Sequence, residues 1–165
     1  MEVNIAPITE EDIMALYPLG NDKDVSWMAG GGLTYPVSYE EFRTKKTIAI
    51  SPSPEDMASF AIRWNNTLVG SIGYFRREED LPLEIGYWLG KKYWGKGIVT
   101  FALQLALKAM QDRGIFGTII ATTMPDNLAS RHILLVAGFQ QIGTEVFDSP
   151  ARKMEVEGVH YSIEL

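Results

Sequence analysis

Short segments rich in β-branched and aromatic residues recur along the chain, and several of them alternate between apolar and polar positions. This is the pattern of strands with one buried face. Asn65-Asn66 separates two such segments and is typical of a hairpin turn. We predict about seven strands, and they lie at 3–8, 59–64, 67–76, 83–89, 118–122, 140–147 and 153–165.

Helical periodicity appears between these strands. Thr9, with Asp12 three residues later, predicts a capped helix that ends near Tyr17 because Pro18 follows. The segment 98–113 is apolar apart from one polar stripe, so it should be buried on most sides against a sheet. Residues 20–36 are rich in Gly and Asp and are predicted to be a loop. The four predicted helices are 10–17, 39–46, 98–113 and 127–137.

Composition narrows the class of protein. The chain has 165 residues with 46% hydrophobic content, and it shows no linker or repeat, so we expect one domain over residues 1–165. The absence of cysteine excludes disulfides and thiolate sites, and two distant histidines make a metal site unexpected. The formal charge of −6 argues against a nucleic-acid binder. Because the sequence has no long apolar run, we expect a cytoplasmic protein without a membrane span. We also expect either a monomer or a homodimer.

The segment 84–97 carries the candidate chemistry. A strand enters a turn with three glycines, and a long helix leaves it, which is a favourable place for a phosphate. A nucleotide P-loop fits Gly90, Gly95 and Lys96, but the next residue is Gly97 where Ser or Thr would hold magnesium. A dinucleotide-binding turn is disfavoured because Thr100 replaces its third glycine and antiparallel hairpins precede it.

A third interpretation rests on a resemblance. Lys-Tyr-Trp-Gly-Lys-Gly at 92–97 resembles the Q/R-x-x-G-x-G/A motif of GNAT N-acetyltransferases. The strand before it, and Asn-Leu-Ala-Ser at 127–130 followed by Ala-Gly-Phe at 137–139, are similar to the RimJ/RimL branch. The order of elements is also that of the family. Lys92 departs from the motif, and Leu134 stands where many members carry a tyrosine acid.

The resemblance implies an α+β fold of α/β/α layers. Its mixed, mostly antiparallel sheet of about seven strands would be flanked by about four helices and splayed between 83–89 and 118–122. It implies transfer of acetyl from acetyl-coenzyme A, without a metal, to a primary amine that is a peptide N-terminus or a small molecule. The alternative is a non-catalytic acyl-coenzyme A binder or sensor on the same fold.

The resemblance also implies a cofactor site. Backbone N–H groups of 94–98 would hold the pyrophosphate, supported by Lys92. The strand 87–89 would pair with the pantetheine arm, Asn127 would bond its amide or simply cap a helix, and Arg131 would lie near the 3′-phosphate. The predicted cofactor-binding residues are Tyr87, Trp88, Leu89, Lys92, Trp94, Gly95, Lys96, Gly97, Ile98, Asn127, Ser130 and Arg131.

Two residues are candidates for proton transfer. Ser130 is expected to donate a hydrogen bond to the departing thiolate, unless it is a solvent-facing helical serine. Glu84 is expected to act as general base through a water molecule. The alternative is a purely structural ion pair with an arginine of a neighbouring strand, such as Arg63 or Arg76. Gly86 beside it leaves room for substrate or water. His160 is expected to be structural, and the first two helices with the loop 24–35 and the turn 147–152 should wall the acceptor site.

Overall fold

Seven strands form one sheet in the computed structural model, which describes residues 2–29, 32–47, 50, 53 and 55–165. Their order across the sheet is β1-β2-β3-β4-β5-β7-β6. All neighbours are antiparallel except β4 and β5, so the predicted mixed sheet is confirmed. The strands are β1 Val3–Pro7, β2 Met57–Trp64, β3 Thr67–Arg76, β4 Leu83–Leu89, β5 Thr118–Thr123, β6 Gln140–Ser149 and β7 Met154–Glu164.

The hairpin between β2 and β3 forms where the sequence predicts it. Asn65 and Asn66 both have positive φ, 48° and 64°, which suits the right-handed twist of a two-residue hairpin. Trp64 pairs with Thr67 on either side of this turn. The antiparallel meander from β2 to β4 is therefore encoded locally by turn chemistry and alternation.

In the described part of the chain, five α-helices cover the two faces of the sheet, one more than predicted. The capping box at Thr9 is present, because Thr9 N donates to Asp12 Oδ2 at 3.0 Å and Asp12 N donates to Thr9 Oγ1 at 3.2 Å. The helices are α1 Glu10–Gly20, α2 Lys23–Ala29, α3 Tyr39–Thr47, α4 Ile98–Asp112 and α5 Leu128–Val136.

The first helix extends past its predicted end at Tyr17 and includes Pro18. Proline removes one backbone donor, but it does not prevent the residues after it from completing the turn. Asn21 N donates to Tyr17 O at 2.8 Å and closes that turn. The Asn21 side chain then accepts from Val37 N at 3.0 Å, so a tertiary contact secures the helix end.

The second helix, α2, was missed, and the prediction of a continuous loop over 20–36 is wrong in that part. Residues 30 and 31 of the loop lie outside the described residues. Asp22 Oδ1 accepts from Asp24 N at 2.9 Å and from Val25 N at 3.1 Å, which caps the helix start. Val25 is buried with 1% exposure, so packing stabilises a helix too short to be stable alone.

Each face of the sheet has its own hydrophobic core. On one face α4 and α5 cover Leu83, Ile85 and Leu89 of β4. On the other face α1, α2 and α3 form a second cluster against which Trp88 packs. The alternation predicted for β4 is thus confirmed, although α4 is less enclosed than expected because Phe101 and Leu105 are 49% and 37% exposed.

The strands β4 and β5 separate soon after they meet. They are paired in register only at Leu83 with Ile119 and at Glu84 with Ile120, and no pairing between them is found beyond these in the described sheet. The predicted splay is therefore present, and it opens toward the glycine turn. Among the described residues, no helix has the length and apolar character to cross a bilayer, and no three acidic or histidine side chains are grouped as metal ligands.

Candidate functional site

The turn between β4 and α4 places a glycine-rich backbone at a helix start. A short 3₁₀ turn, Lys91–Tyr93, follows β4, and Gly97 is the N-cap residue of α4. Gly95 and Gly97 have φ of 70° and 72°. These values lie in the left-handed region, which residues other than glycine rarely adopt. A Cβ added at either glycine would meet no atom within 4 Å, so the surface above this backbone is open.

The amides of this turn are available to a ligand. Tyr93 N and Trp94 N donate to Gly90 O and Lys91 O, but Gly95, Lys96 and Gly97 donate to no acceptor within the described part of the chain. The first amides of α4, beginning at Ile98, lack intrahelical partners by geometry, and no side chain caps the helix. Consecutive N–H groups at the positive end of a 15-residue helix fit a diphosphate.

The side chains around the turn support the same chemistry. Trp94 Nε1 donates to Leu89 O at 2.9 Å, which ties the turn to the end of β4. The Lys92 and Lys96 ammonium groups lie over the Tyr93 and Trp64 rings at 5.0 and 5.8 Å. Neither lysine has a carboxylate partner in the ranges that the structure describes, so both remain available to an anion. A phosphorylated cofactor therefore fits the residues present.

On the other side of the splay, Asn127 and Ser130 start α5. Asn127 Oδ1 accepts from Ser130 N at 3.1 Å, so the N-cap role foreseen for this asparagine is present. Its Nδ2 donates to Met28 O at 3.3 Å and thereby links α5 to α2. Ser130 is 9% exposed, so it is not a solvent-facing serine.

The Tyr87 side chain crosses the splay to reach Ser130. Its hydroxyl lies 2.9 Å from Ser130 Oγ and donates toward Ser130 O at 3.4 Å. Burial raises the pKa of Tyr87 to about 12, although the hydrogen bond with Ser130 opposes the shift. The phenol therefore stays protonated and fixes the serine hydroxyl beside the opening. The sequence assigned only the Tyr87 backbone to the site and missed this contact.

Glu84 makes an ion pair, but with a different arginine from those expected. Arg77 Nε lies 2.7 Å from its Oε2, whereas Arg63 pairs with Asp12 and Arg76 pairs with Asp56. Arg77 is the first residue after β3, in the loop that leads to β4, whereas Arg63 and Arg76 lie on strands and pair with other carboxylates. Glu84 is 6% exposed. Burial disfavours the charged guanidinium, but the Glu84 and Glu145 carboxylates hold the pKa of Arg77 above its ordinary value.

Beyond Glu84 the same face of β4 is open at Gly86. Gly86 is exposed, and a Cβ there would meet nothing within 4 Å. Trp88 follows on this face, and the Lys46 ammonium lies 5.5 Å from the centroid of its ring. Burial lowers the pKa of Lys46 to about 8. Lys46 was not singled out from the sequence, since Trp88 is distant from it in the chain.

The Arg131 side chain makes hydrogen bonds to other residues of this protein. Its Nε donates to Tyr161 OH at 3.2 Å, and its Nη1 donates to Pro125 O at 3.3 Å. These bonds join α5 to β7 and to the loop before α5. The predicted contact of Arg131 with a 3′-phosphate would require at least part of this arrangement to change, so it stays a prediction.

Arg152 joins three elements at the edge of the opening. Its side chain, 7% exposed, pairs with Asp126 at 2.7 Å and donates to Trp27 O at 3.1 and 3.2 Å. The guanidinium also lies 4.4 Å from the Trp27 ring centroid. The turn after β6 was predicted as a wall of the acceptor site, but nothing in the sequence indicated that its arginine holds α2.

Replacing Arg152 with alanine is expected to destabilise the protein by about 2 kcal/mol, because charge-assisted hydrogen bonds and a cation–π contact are lost together. The Tm measured by calorimetry should fall by about 4–8 °C. Arg43→Ala is the control, since its pair with Glu10 is exposed to solvent and screened, so its loss should change the Tm little. Equal losses in the two variants would contradict the bridging role.

The stability contributed by the Arg152–Asp126 pair should depend on pH. The hydrogen bond from Arg152 holds the pKa of Asp126 below its ordinary value. A carboxyl with a lowered pKa contributes stability above its unfolded pKa, and that contribution is lost as the pH falls through the folded pKa. The difference in Tm between wild type and Arg152→Ala should therefore narrow under acidic conditions.

The sequence and the structure were compared with those of known proteins. Residues 2–140 match the model of the acetyltransferase (GNAT) domain. The ribosomal-protein-serine acetyltransferase of Escherichia coli is 32% identical over 81 residues, a match covering 48% of this chain and 45% of that enzyme. The chain thus matches less than half the length of that curated relative.

Solved structures share the fold over almost the whole chain. The RimL ribosomal L7/L12 α-N-protein acetyltransferase in complex with coenzyme A aligns with a TM-score of 0.84 at 20% identity, covering 99% of this chain and 94% of that one. A GNAT-family acetyltransferase from Bacillus anthracis gives 0.80 at 23% identity, covering 99% and 95%. The aminoglycoside acetyltransferase AAC(6′)-Ib with coenzyme A gives 0.78 at 17% identity, also covering 99% and 95%. With its glycine turn, its splayed sheet and the family match over residues 2–140, the chain belongs to the GNAT acetyltransferase family.

Proposed function

We propose that this protein transfers an acetyl group from acetyl-coenzyme A to a primary amine by direct attack in a ternary complex. The observation that carries the proposal is the row of amides at Gly95, Lys96 and Gly97, which donate to no acceptor among the described residues and lie beside the opening between β4 and β5. The relatives solved with coenzyme A share this fold, which supports the choice of cofactor.

Two parts of the chain bind the cofactor in this proposal. The amides of 95–98 hold the pyrophosphate, whereas the Trp94 amide that was also predicted to do so already donates to Lys91 O. Lys92 adds a positive charge at the same turn. The unpaired edge of β4 beyond Glu84, at Tyr87, Trp88 and Leu89, accepts the pantetheine arm as an additional strand-like partner. The Leu89 carbonyl already accepts from Trp94, so the remaining backbone groups of 87–89 make these bonds.

Ser130 assists departure of the thiol. When bound, the thioester supplies an activated acyl carbon, so positioning accounts for much of the rate. In this proposal the single Tyr87 hydroxyl proton is donated to Ser130 Oγ, at 2.9 Å, rather than to Ser130 O, at 3.4 Å, which leaves the Ser130 proton free to point toward the opening. The serine thus donates a hydrogen bond where negative charge develops on sulfur. Asn127 orders this helix start and is proposed to contact the cofactor as well.

The acceptor enters on the face that carries Glu84, Gly86 and Trp88. A primary amine on a peptide N-terminus or on a small molecule fits the open surface at Gly86. The similar proteins are named as acting on the N-terminus of ribosomal L7/L12 and on aminoglycosides, so both substrate classes belong in the test. Glu84 remains a candidate base, although Arg77 already engages its Oε2.

The test combines binding and turnover. Calorimetry with coenzyme A should show binding, and thiol release from acetyl-coenzyme A should rise with at least one amine among N-terminal peptides, polyamines and aminoglycosides. Ser130→Ala should retain cofactor affinity and lose about 10- to 100-fold in kcat, because it removes one donor from the developing charge.

The outcomes separate the alternatives. Tight binding of coenzyme A without thiol release across the whole amine panel would favour a non-catalytic acyl-coenzyme A binder or sensor. An absence of heat with every coenzyme A derivative would overturn the cofactor assignment itself. Ala129→Ser, on an exposed neighbouring position of α5, is the control for altering the helix surface without removing the Ser130 hydroxyl.

A further inference from the structure

A chain of polar contacts crosses the acceptor face from β4 to β7. Arg77 bridges Glu84, at 2.7 Å, and Glu145 of β6, at 3.0 Å. His160 Nδ1 lies 3.0 Å from Thr122 Oγ1 and 3.5 Å from Glu145 Oε2. The expectation that His160 is merely structural did not foresee these neighbours, which come from two other strands.

The strand register places His160 at the opening. The last pair between β4 and β5 is Glu84 with Ile120, and residues two further along each strand share that face. Those residues are Gly86 and Thr122, which lie on either side of the gap, and Thr122 pairs directly with His160. One such step is about 6.6 Å along a strand. His160 therefore lies in the same row as Gly86 and Thr122, which is two residues nearer the opening than the row of Glu84 and Ile120.

The contacts at Nδ1 fix which ring nitrogen is basic. A carboxylate and a hydroxyl oxygen beside Nδ1 favour the tautomer with the proton on Nδ1. Nε2 is then the acceptor, and it has no hydrogen-bond partner among the residues that the structure describes. The His160 side chain is 19% exposed, so the ring is not sealed inside the core.

Glu145 is placed to stabilise a protonated His160. Its Oε2 is buried and accepts no hydrogen bond in the described structure, and 3.5 Å is beyond a normal hydrogen bond. A closer approach of a few tenths of an ångström, on formation of an imidazolium, would satisfy that oxygen. The charged groups linked to His160 on this face are thus Glu145 directly and, through Arg77, Glu84.

We propose that His160 is the general base for the acceptor amine. The step rests on the proposed acetyl transfer. The neutral amine nitrogen forms a bond to the acyl carbon, the carbon–sulfur bond breaks, and the amine proton passes to His160 Nε2. The thiolate, stabilised by a hydrogen bond from Ser130, gains a proton from solvent water, and His160 later returns its proton to solvent. Thr122 and Glu145 are positioning residues that hold the ring and its tautomer. Glu84, engaged by Arg77, supports Glu145 through that arginine.

The test compares single substitutions at His160, Glu84 and His132. His160→Gln keeps a polar side chain, so coenzyme A affinity should stay unchanged while kcat falls about 100-fold. The acidic limb of the pH profile of kcat, measured at saturating acceptor, should disappear, and added imidazole should partly restore turnover in His160→Ala. Glu84→Gln should keep the acidic limb. His132→Gln, which alters the other histidine on the exposed surface of α5, should behave as wild type.

The failures are distinguishable. If wild type neither binds coenzyme A nor releases thiol, the proposed function fails and the base is irrelevant. If wild type is active and His160→Gln retains the acidic limb with nearly full kcat, the assignment of His160 is overturned. Loss of the limb in Glu84→Gln, with the limb retained in His160→Gln, would return the role to Glu84. Glu145→Gln should reduce kcat with little change in KM if its role is positioning.

Discussion

Gly97→Ala is expected to weaken coenzyme A binding by at least about tenfold, or about 1.4 kcal/mol. Gly97 has a φ of 72°, and the region that an alanine Cβ would occupy is open in the protein alone. In the proposed complex that region faces the pyrophosphate, so the methyl group would keep the phosphates from the backbone amides. Calorimetric titration of the variant with coenzyme A measures the loss.

Gly114→Ala is the matched control. Gly114, just beyond the other end of α4, has a φ of 77° and nothing within 4 Å of an added Cβ. Both alanines should therefore cost about 1–2 kcal/mol of stability through the same backbone strain. Only the substitution at Gly97 should change cofactor affinity. Equal affinity in the two variants would show that the turn does not hold the pyrophosphate.

Gly86→Val is expected to reduce kcat/KM for the acceptor about 100-fold, or about 2.7 kcal/mol, while leaving coenzyme A affinity intact. Valine suits a strand, and its Cβ would meet no atom within 4 Å, so stability should be preserved. The branched side chain would instead fill the open surface beside Glu84 where the amine is proposed to bind. Acceptor titrations at saturating acetyl-coenzyme A, with thiol release as the readout, measure the effect.

A graded series provides the control for this second prediction. Gly86→Ala should have a smaller effect than Gly86→Val, because a single methyl group occupies less of the open surface. The Tm and the coenzyme A affinity of both variants should match those of wild type. Unchanged acceptor kinetics in Gly86→Val would place the acceptor elsewhere on the protein.

The parts of the fold that follow from local chemistry were predicted closely. The bounds of β3 and β4 match, because an Asn-Asn turn and regular alternation specify them within a few residues. The glycine turn was recognised because its conformation depends on Gly95 and Gly97 themselves. The helix α2 was missed because it forms through burial of Val25 against distant elements, which no local pattern reports.

In the candidate site, too, some features were predicted from local motifs and others were not. The backbone positions at Gly95 and Gly97, and the residues Asn127 and Ser130, were identified from motifs. The partners of the polar side chains were not, and the arginine beside Glu84 was expected to be Arg63 or Arg76. A side chain's partner depends on how strands align, and that alignment joins residues far apart in sequence.

The sequence by itself determined the strands, the glycine turn and the family to which the chain belongs, because turn residues and hydrophobic period act over a few neighbouring positions. Tertiary structure decided that Arg77 engages Glu84, that Tyr87 reaches Ser130 and that His160 stands beside the gap between β4 and β5. These contacts depend on the register between strands and on the point at which two strands part. Both are set by packing across the entire sheet.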